Sequence, residues 1–76
     1  MYKRIKELRE DKDLLQKEIA KILKITQRNY SYLETGKTDI PTDILIKLSY
    51  FYDISVDYIL GLTDEMKPYP RTKKQL

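Results

Sequence analysis

Residues 26–37 read Thr-Gln-Arg-Asn-Tyr-Ser-Tyr-Leu-Glu-Thr-Gly-Lys, and their chemistry is that of hydrogen bonding rather than bond making. Gln27, Arg28, Asn29, Ser31 and Tyr32 alternate with Tyr30 and Leu33, two apolar positions three residues apart. A merely solvated helix face favours Lys and Glu. Gln and Arg instead carry paired groups that match base edges in a major groove: Gln matches adenine, and Arg matches O6 and N7 of guanine. Gln27 and Arg28 are therefore candidates to touch bases, with Ser31 and Tyr32 beside them; ordinary surface polarity is the alternative. Lys17, Lys21, Lys24 and Lys37 flank the stretch and suit contact with a phosphate backbone.

Other chemistries lack their residues. The 76-residue chain has no cysteine, which removes disulfides, zinc–thiolate sites and thiol catalysis, and no histidine, the commonest general base and metal ligand. An enzyme would need a carboxylate pair or a lysine in a concave scaffold, and a chain of this size sets the expectation of one small domain with no such scaffold. Neither a cofactor nor a small-molecule ligand is implied. No run approaches the roughly 18 apolar residues of a membrane span. Met1 to Asp13 is charged throughout, without the apolar core of a signal peptide, so a cytoplasmic location is expected.

The net charge of +3 is unevenly spread. Residues 1–37 carry ten Lys/Arg against six Asp/Glu, residues 38–66 one Lys against six acids, and residues 67–76 four Lys/Arg and no acid. Such a split suits a polyanion on one face and a different partner on another, or simply the solvation of a small domain.

The elements that must position these residues are helices. Tyr2, Ile5 and Leu8 repeat every three residues and place a first helix over 2–11. A second starts near Leu14 or Leu15, with Asp13 and Gln16 spaced as a capping box and Ile19, Ala20, Ile22 and Leu23 as its buried face. Thr26 is a suitable cap for a third helix over 27–34, which Gly36 ends. Pro41 opens a fourth over 42–52, with Ile44, Leu45, Leu48, Phe51 and Tyr52 inward. Ser55 caps a fifth over 56–60, ended by Gly61. Residues 63–76, with Pro68, Pro70 and the basic run 71–74, have no periodic apolar face and read as a flexible polar tail. Only about three residues join the second and third helices. The two must therefore cross steeply, with the small Ala20 at the approach.

Together, Arg4-Ile5-Lys6-Glu7-Leu8-Arg9, Gln16-Lys17-Glu18-Ile19-Ala20, Tyr32-Leu33-Glu34-Thr35-Gly36-Lys37 and Asp57-Tyr58-Ile59-Leu60-Gly61 resemble the Cro- and phage-repressor-like helix-turn-helix regulators, the xenobiotic-response-element group. The resemblance covers residues 2 to about 62. It implies an all-α, five-helix, lambda-repressor-like DNA-binding domain over 1–62 that binds double-stranded DNA. It further implies that Gln16 holds a phosphate, that Gln27, Arg28 and Tyr32 face the groove, and that Thr35 and Lys37 touch the backbone. Lys17, Thr26 and Asn29 are counted with the phosphate contacts. By the same resemblance, Arg9 and Glu34 form an ion pair tying the first helix to the end of the third. Lys24 stands where the family usually has glycine, so the turn needs either a left-handed lysine or another geometry. Leu15 stands where a Ser or Thr cap is usual, and Asp13 is the substitute on offer.

These readings converge on a sequence-specific transcriptional regulator, a repressor that binds an inverted repeat as a homodimer through the fourth and fifth helices. That acidic half also holds Tyr50, Phe51, Tyr52 and Tyr58, which either fill the core or form the self-association surface. Tyr32 either contacts a base or thymine methyl or packs on the fourth helix. The competing reading is an antitoxin or anti-repressor whose main partner is another protein.

Overall fold

The structure, a computed structural model, describes residues 2–71. Within them lie α1 (Lys3–Asp11), α2 (Gln16–Leu23), α3 (Gln27–Thr35), α4 (Thr42–Tyr52) and α5 (Val56–Ile59), with no strand among the described residues. The chain is thus all-helical, as the periodicity predicts. No helix in this part is long and apolar enough to cross a membrane.

Each helix is begun and ended by local chemistry. Thr26 Oγ1 accepts from the Asn29 amide at 3.1 Å, and Ser55 Oγ accepts from the Tyr58 amide at 3.0 Å, so both hydroxyl caps sit where predicted. The start of α2 differs from expectation. Asp13 is not its cap; at φ 54° it is the left-handed residue that terminates α1, and its amide donates to Glu10 O. The N-cap is Leu15, whose amide donates to Glu18 Oε1 at 2.8 Å. This is half of a capping box, since leucine has no acceptor to return. The turn after α2 resolves the Lys24 alternative. Lys24 is left-handed at φ 61°, and the Ile25 amide closes on Ala20 O. That conformation costs a residue other than glycine about 1–2 kcal/mol.

The core is assembled from all five helices. Ile5 and Leu8 of α1, Ile19, Ala20 and Leu23 of α2, Tyr30 and Leu33 of α3, Ile44, Leu48 and Tyr52 of α4, and Ile59 of α5 are buried together, with Ile54 from the turn before α5. α1 packs on α3 and α5, and α2 on α3 and α4, so α3 is held from two sides along its length. Two expected core residues are outside. Ile22 is 45% exposed because it lies roughly 100° around α2 from the middle of the Ile19–Ala20–Leu23 stripe. Phe51 is 37% exposed at the edge of the α4 stripe, its ring meeting that of Tyr52 edge-on at 4.9 Å. The tyrosines divide. Tyr30 and Tyr52 fill the core, Tyr58 is half-buried, and Tyr50 is exposed.

Residues 63–71 run back along the acidic half. The Ser55 amide donates to Met66 O and the Ser55 hydroxyl to Glu65 O, both at 2.9 Å. Arg4 of α1 donates to the carbonyls of Tyr58 and Thr63 and to Asp64, with its guanidinium 3.9 Å from the Tyr58 ring centroid. At the far end Arg71 donates to Asp53 at 2.9 Å and to Ser49 O at 3.1 Å, and lies over the Tyr50 ring. Residues 72–76, which hold the rest of the basic run, lie outside the described residues.

Candidate nucleic-acid interface

α3 has two chemically distinct sides. Tyr30, Leu33 and Glu34 point in, at 0%, 4% and 7% exposure. Gln27, Arg28 and Thr35 are exposed, and Ser31 and Tyr32 are half-buried. These five recur at spacings of one, three and four, which places them on one stripe facing away from the core. Asn29 is exposed on its flank. The stripe is hydrogen-bonding but uncharged apart from Arg28, and no acid stands in the first turn of α3, where free amides and the helix dipole make the surface electropositive. Lys17, Lys21 and Lys24, on α2 and the turn, are all exposed.

Behind the stripe is a polar network that sequence spacing does not reveal. Arg9 Nε donates to Glu34 Oε2 at 2.6 Å and a terminal nitrogen donates to Glu34 Oε1 at 3.2 Å, while its other terminal nitrogen donates to Leu14 O at 2.8 Å. One side chain thus joins α1, the start of the α2 region and the end of α3. The pair is not an exposed one: the Arg9 and Glu34 side chains retain only 12% and 4% exposure. Gln16 Nε2 donates to Glu34 Oε1 at 3.1 Å. The first residue of α2, itself half-buried, is thereby referenced to the last turn of α3.

Burial works to raise the Glu34 pKa, but the hydrogen bond from Arg9, the neighbouring Tyr30 hydroxyl and Gln16 outweigh it and hold the carboxylate below its ordinary range. Tyr30 responds oppositely. Burial of its hydroxyl, which lies beside the Glu34 carboxylate, drives its pKa far up. Burial also pushes Tyr52 up to about 12, against a lowering pull from Arg9.

At the other end of α3, Gly36 takes φ 80°, a left-handed C-cap that turns the chain back over the helix. The turn brings Lys37 Nζ to 4.4 Å from the Tyr32 ring centroid. Tyr32 also borders a groove of about 210 Å³ that Pro41 and Ile44 line with it. Helical spacing does not suggest the Lys37–Tyr32 contact, because the two residues meet only through the Gly36 turn; a place for Tyr32 beside the fourth helix is one of its two expected positions.

No group of three or more metal-ligating side chains occurs among the described residues. The site is a solvent-facing helical stripe, braced from behind by a buried ion pair and flanked by lysines.

Residues 5–59 match the helix-turn-helix family model. The chain is 39% identical over 69 residues to YobD of Bacillus subtilis strain 168, an HTH-type transcriptional regulator, covering 90% of this chain and 62% of that protein. It is 43% identical over 65 residues to the HTH-type transcriptional regulator ImmR of the same organism, covering 86% of this chain and 51% of the relative. The crystal structure of a transcriptional regulator from Listeria innocua superposes with a TM-score of 0.73 at 26% identity, over 82% of this chain and 58% of that one. The chain therefore spans between about half and three-fifths of the length of these relatives. The fold and the braced α2–α3 pair define a helix-turn-helix protein. The chain belongs to the Cro- and phage-repressor-like branch of that family.

Proposed function

We propose that this chain is a sequence-specific DNA-binding domain of a transcriptional regulator, with α3 lying in the major groove. The observation that carries the reading is the α3 stripe: Gln27, Arg28 and Ser31 stand outward on a helix whose other side is clamped by Arg9 and Glu34. A helix of this kind fits the groove, and its first turn reaches deepest toward base edges. Arg28 prefers guanine and Gln27 adenine by the match of their donors and acceptors. Gln16, Lys17, Thr26, Asn29, Thr35 and Lys37 contact phosphate. Residues 1–62 form the binding domain, working in the cytoplasm.

The regulator acts as a repressor on an inverted repeat and binds it as a homodimer. The acidic half supports this arrangement, since α4 leaves Tyr50 and Phe51 each 37% exposed. Aromatic residues are enriched at such interfaces.

Selection from random duplexes, followed by titration at several salt concentrations, tests the reading. The unaltered protein selects a two-fold motif, and log K falls with log salt at a slope of about −0.9 per neutralised phosphate. Arg28→Ala costs about 1–3 kcal/mol on the selected site and relaxes one base pair in each half, while thermal stability is unchanged because the side chain is exposed. Failure of the unaltered protein to select any motif refutes sequence-specific binding. An unchanged motif with Arg28→Ala refutes only the assignment of that residue.

A further inference from the structure

Lys37 is held at both ends by one residue. Its backbone amide donates to Tyr32 O at 3.0 Å, and the same carbonyl receives the Thr38 amide at 3.4 Å and the Thr35 hydroxyl at 3.3 Å. The Gly36 amide also closes on Tyr32 O, so this carbonyl is the acceptor on which the left-handed turn converges. From that fixed start the Lys37 side chain returns across the helix end, and its ammonium comes to rest 4.4 Å from the Tyr32 ring centroid. The ring itself is half-buried, between the stripe and the groove beside α4. The ammonium thus stands over one face of the ring.

We propose that Tyr32 is a positioning residue for Lys37 rather than a reader of bases. Its ring holds the lysine ammonium at the end of the recognition helix, pre-set for a backbone phosphate. This inference rests on the DNA-binding reading above and deepens it. A free lysine forfeits side-chain freedom when an interface immobilises it. A lysine already resting on an aromatic face has surrendered part of that freedom in the unbound protein. The attraction of an exposed ammonium for a ring amounts to about 0.5–1 kcal/mol, which corresponds to a two- to fivefold effect on affinity. Because a phosphate carries no base identity, the effect falls equally on all sequences.

The test uses the full chain with Tyr32→Leu, which keeps an apolar side chain against the groove, and Tyr32→Phe, which keeps the ring without the hydroxyl. Lys37→Met and the double variant Tyr32→Leu/Lys37→Met complete the set. Each is titrated against the duplex selected by the unaltered protein and against a random-sequence duplex, with thermal unfolding measured in parallel. Tyr32→Leu is expected to weaken both duplexes by about two- to fivefold and to leave the selected motif as it was. Tyr32→Phe restores the loss, and in the Lys37→Met background Tyr32→Leu has no further effect. A changed base preference in Tyr32→Leu or Tyr32→Phe overturns the proposal in favour of base reading, while the DNA-binding reading stands. Additive losses in the double variant overturn it too, because the two residues would then act separately. If the unaltered protein binds neither duplex, the underlying reading fails and the proposal with it.

Discussion

Arg9 and Arg71 use the same chemistry in two halves of the molecule. Each guanidinium donates to a carboxylate and to a backbone carbonyl, Arg9 to Glu34 and Leu14 O, Arg71 to Asp53 and Ser49 O. The difference is water. The Arg9 and Glu34 side chains are 12% and 4% exposed, whereas Arg71 keeps 28% and Asp53 78%. Around Glu34 both carboxylate oxygens are used and Gln16 adds a further donor. Around Asp53 solvent competes with every contact. The comparison teaches that the acceptor's exposure, not the number of hydrogen bonds, decides what an arginine does for a fold. The buried pair fixes the end of α3 against α1 and α2; the exposed one tacks residues 63–71 to the end of α4.

The largest expected effect breaks the buried side. Glu34→Ala leaves Arg9 with an uncompensated buried charge and Gln16 without its acceptor, and costs about 3–5 kcal/mol in chemical denaturation. The same pair sets an acid limit. Glu34 has a depressed pKa in the folded state, so its contribution is fully present above the unfolded carboxylate value and is lost as pH falls through the folded one. Stability of the unaltered protein therefore declines below the ordinary carboxylate range, and a denaturation series in pH should show this limb missing in Glu34→Ala. A persistent limb would assign it to other carboxylates.

Tyr52 supplies the opposite limb. Its folded pKa of about 12 lies above the ordinary 10.0, so its stabilising contribution is complete below pH 10 and drains away as pH rises toward 12. Tyr52→Phe should make that alkaline decline shallower without abolishing it, because Tyr30 is shifted in the same direction, read as the unfolding midpoint from about pH 9 to 12. An unaltered slope would place the effect on Tyr30.

A smaller and favourable change lies in the turn between α2 and α3. Lys24→Gly relieves the left-handed lysine at φ 61°. It should stabilise by about 1 kcal/mol, the steric relief less the extra freedom glycine has when unfolded. A loss of stability instead would show that the lysine side chain contributes packing or charge there.

The smallest effect sharpens the comparison from its exposed side. Arg71→Ala should cost less than about 1 kcal/mol, as measured for solvent-exposed pairs. Amide exchange at Ser55, whose amide bonds Met66 O, reports whether the 63–71 segment has loosened. A loss as large as that of Glu34→Ala would abolish the distinction drawn between the two arginines.

The residues themselves determined a good deal. α4 falls on Thr42–Tyr52 and α3 on Gln27–Thr35, within one residue of what periodicity and caps dictate, and Thr26, Ser55 and Gly36 occupy their capping positions. These features are legible because each depends on neighbours within about four residues, the reach of a helical turn. The outward Gln27, Arg28 and Ser31 stripe follows from the same spacing. What tertiary structure alone decided lies across longer gaps. It sent Ile22 and Phe51 outward, since a stripe's edge is set by what packs against it. It joined Gln16 to Glu34 across 18 positions and Arg4 to Asp64 across 60, and it buried the Arg9–Glu34 pair that the residues alone would have left in water. Spacing specifies which face a side chain takes on its own helix, but only the packing of one helix on another specifies whether that face meets solvent, a carboxylate or a ring.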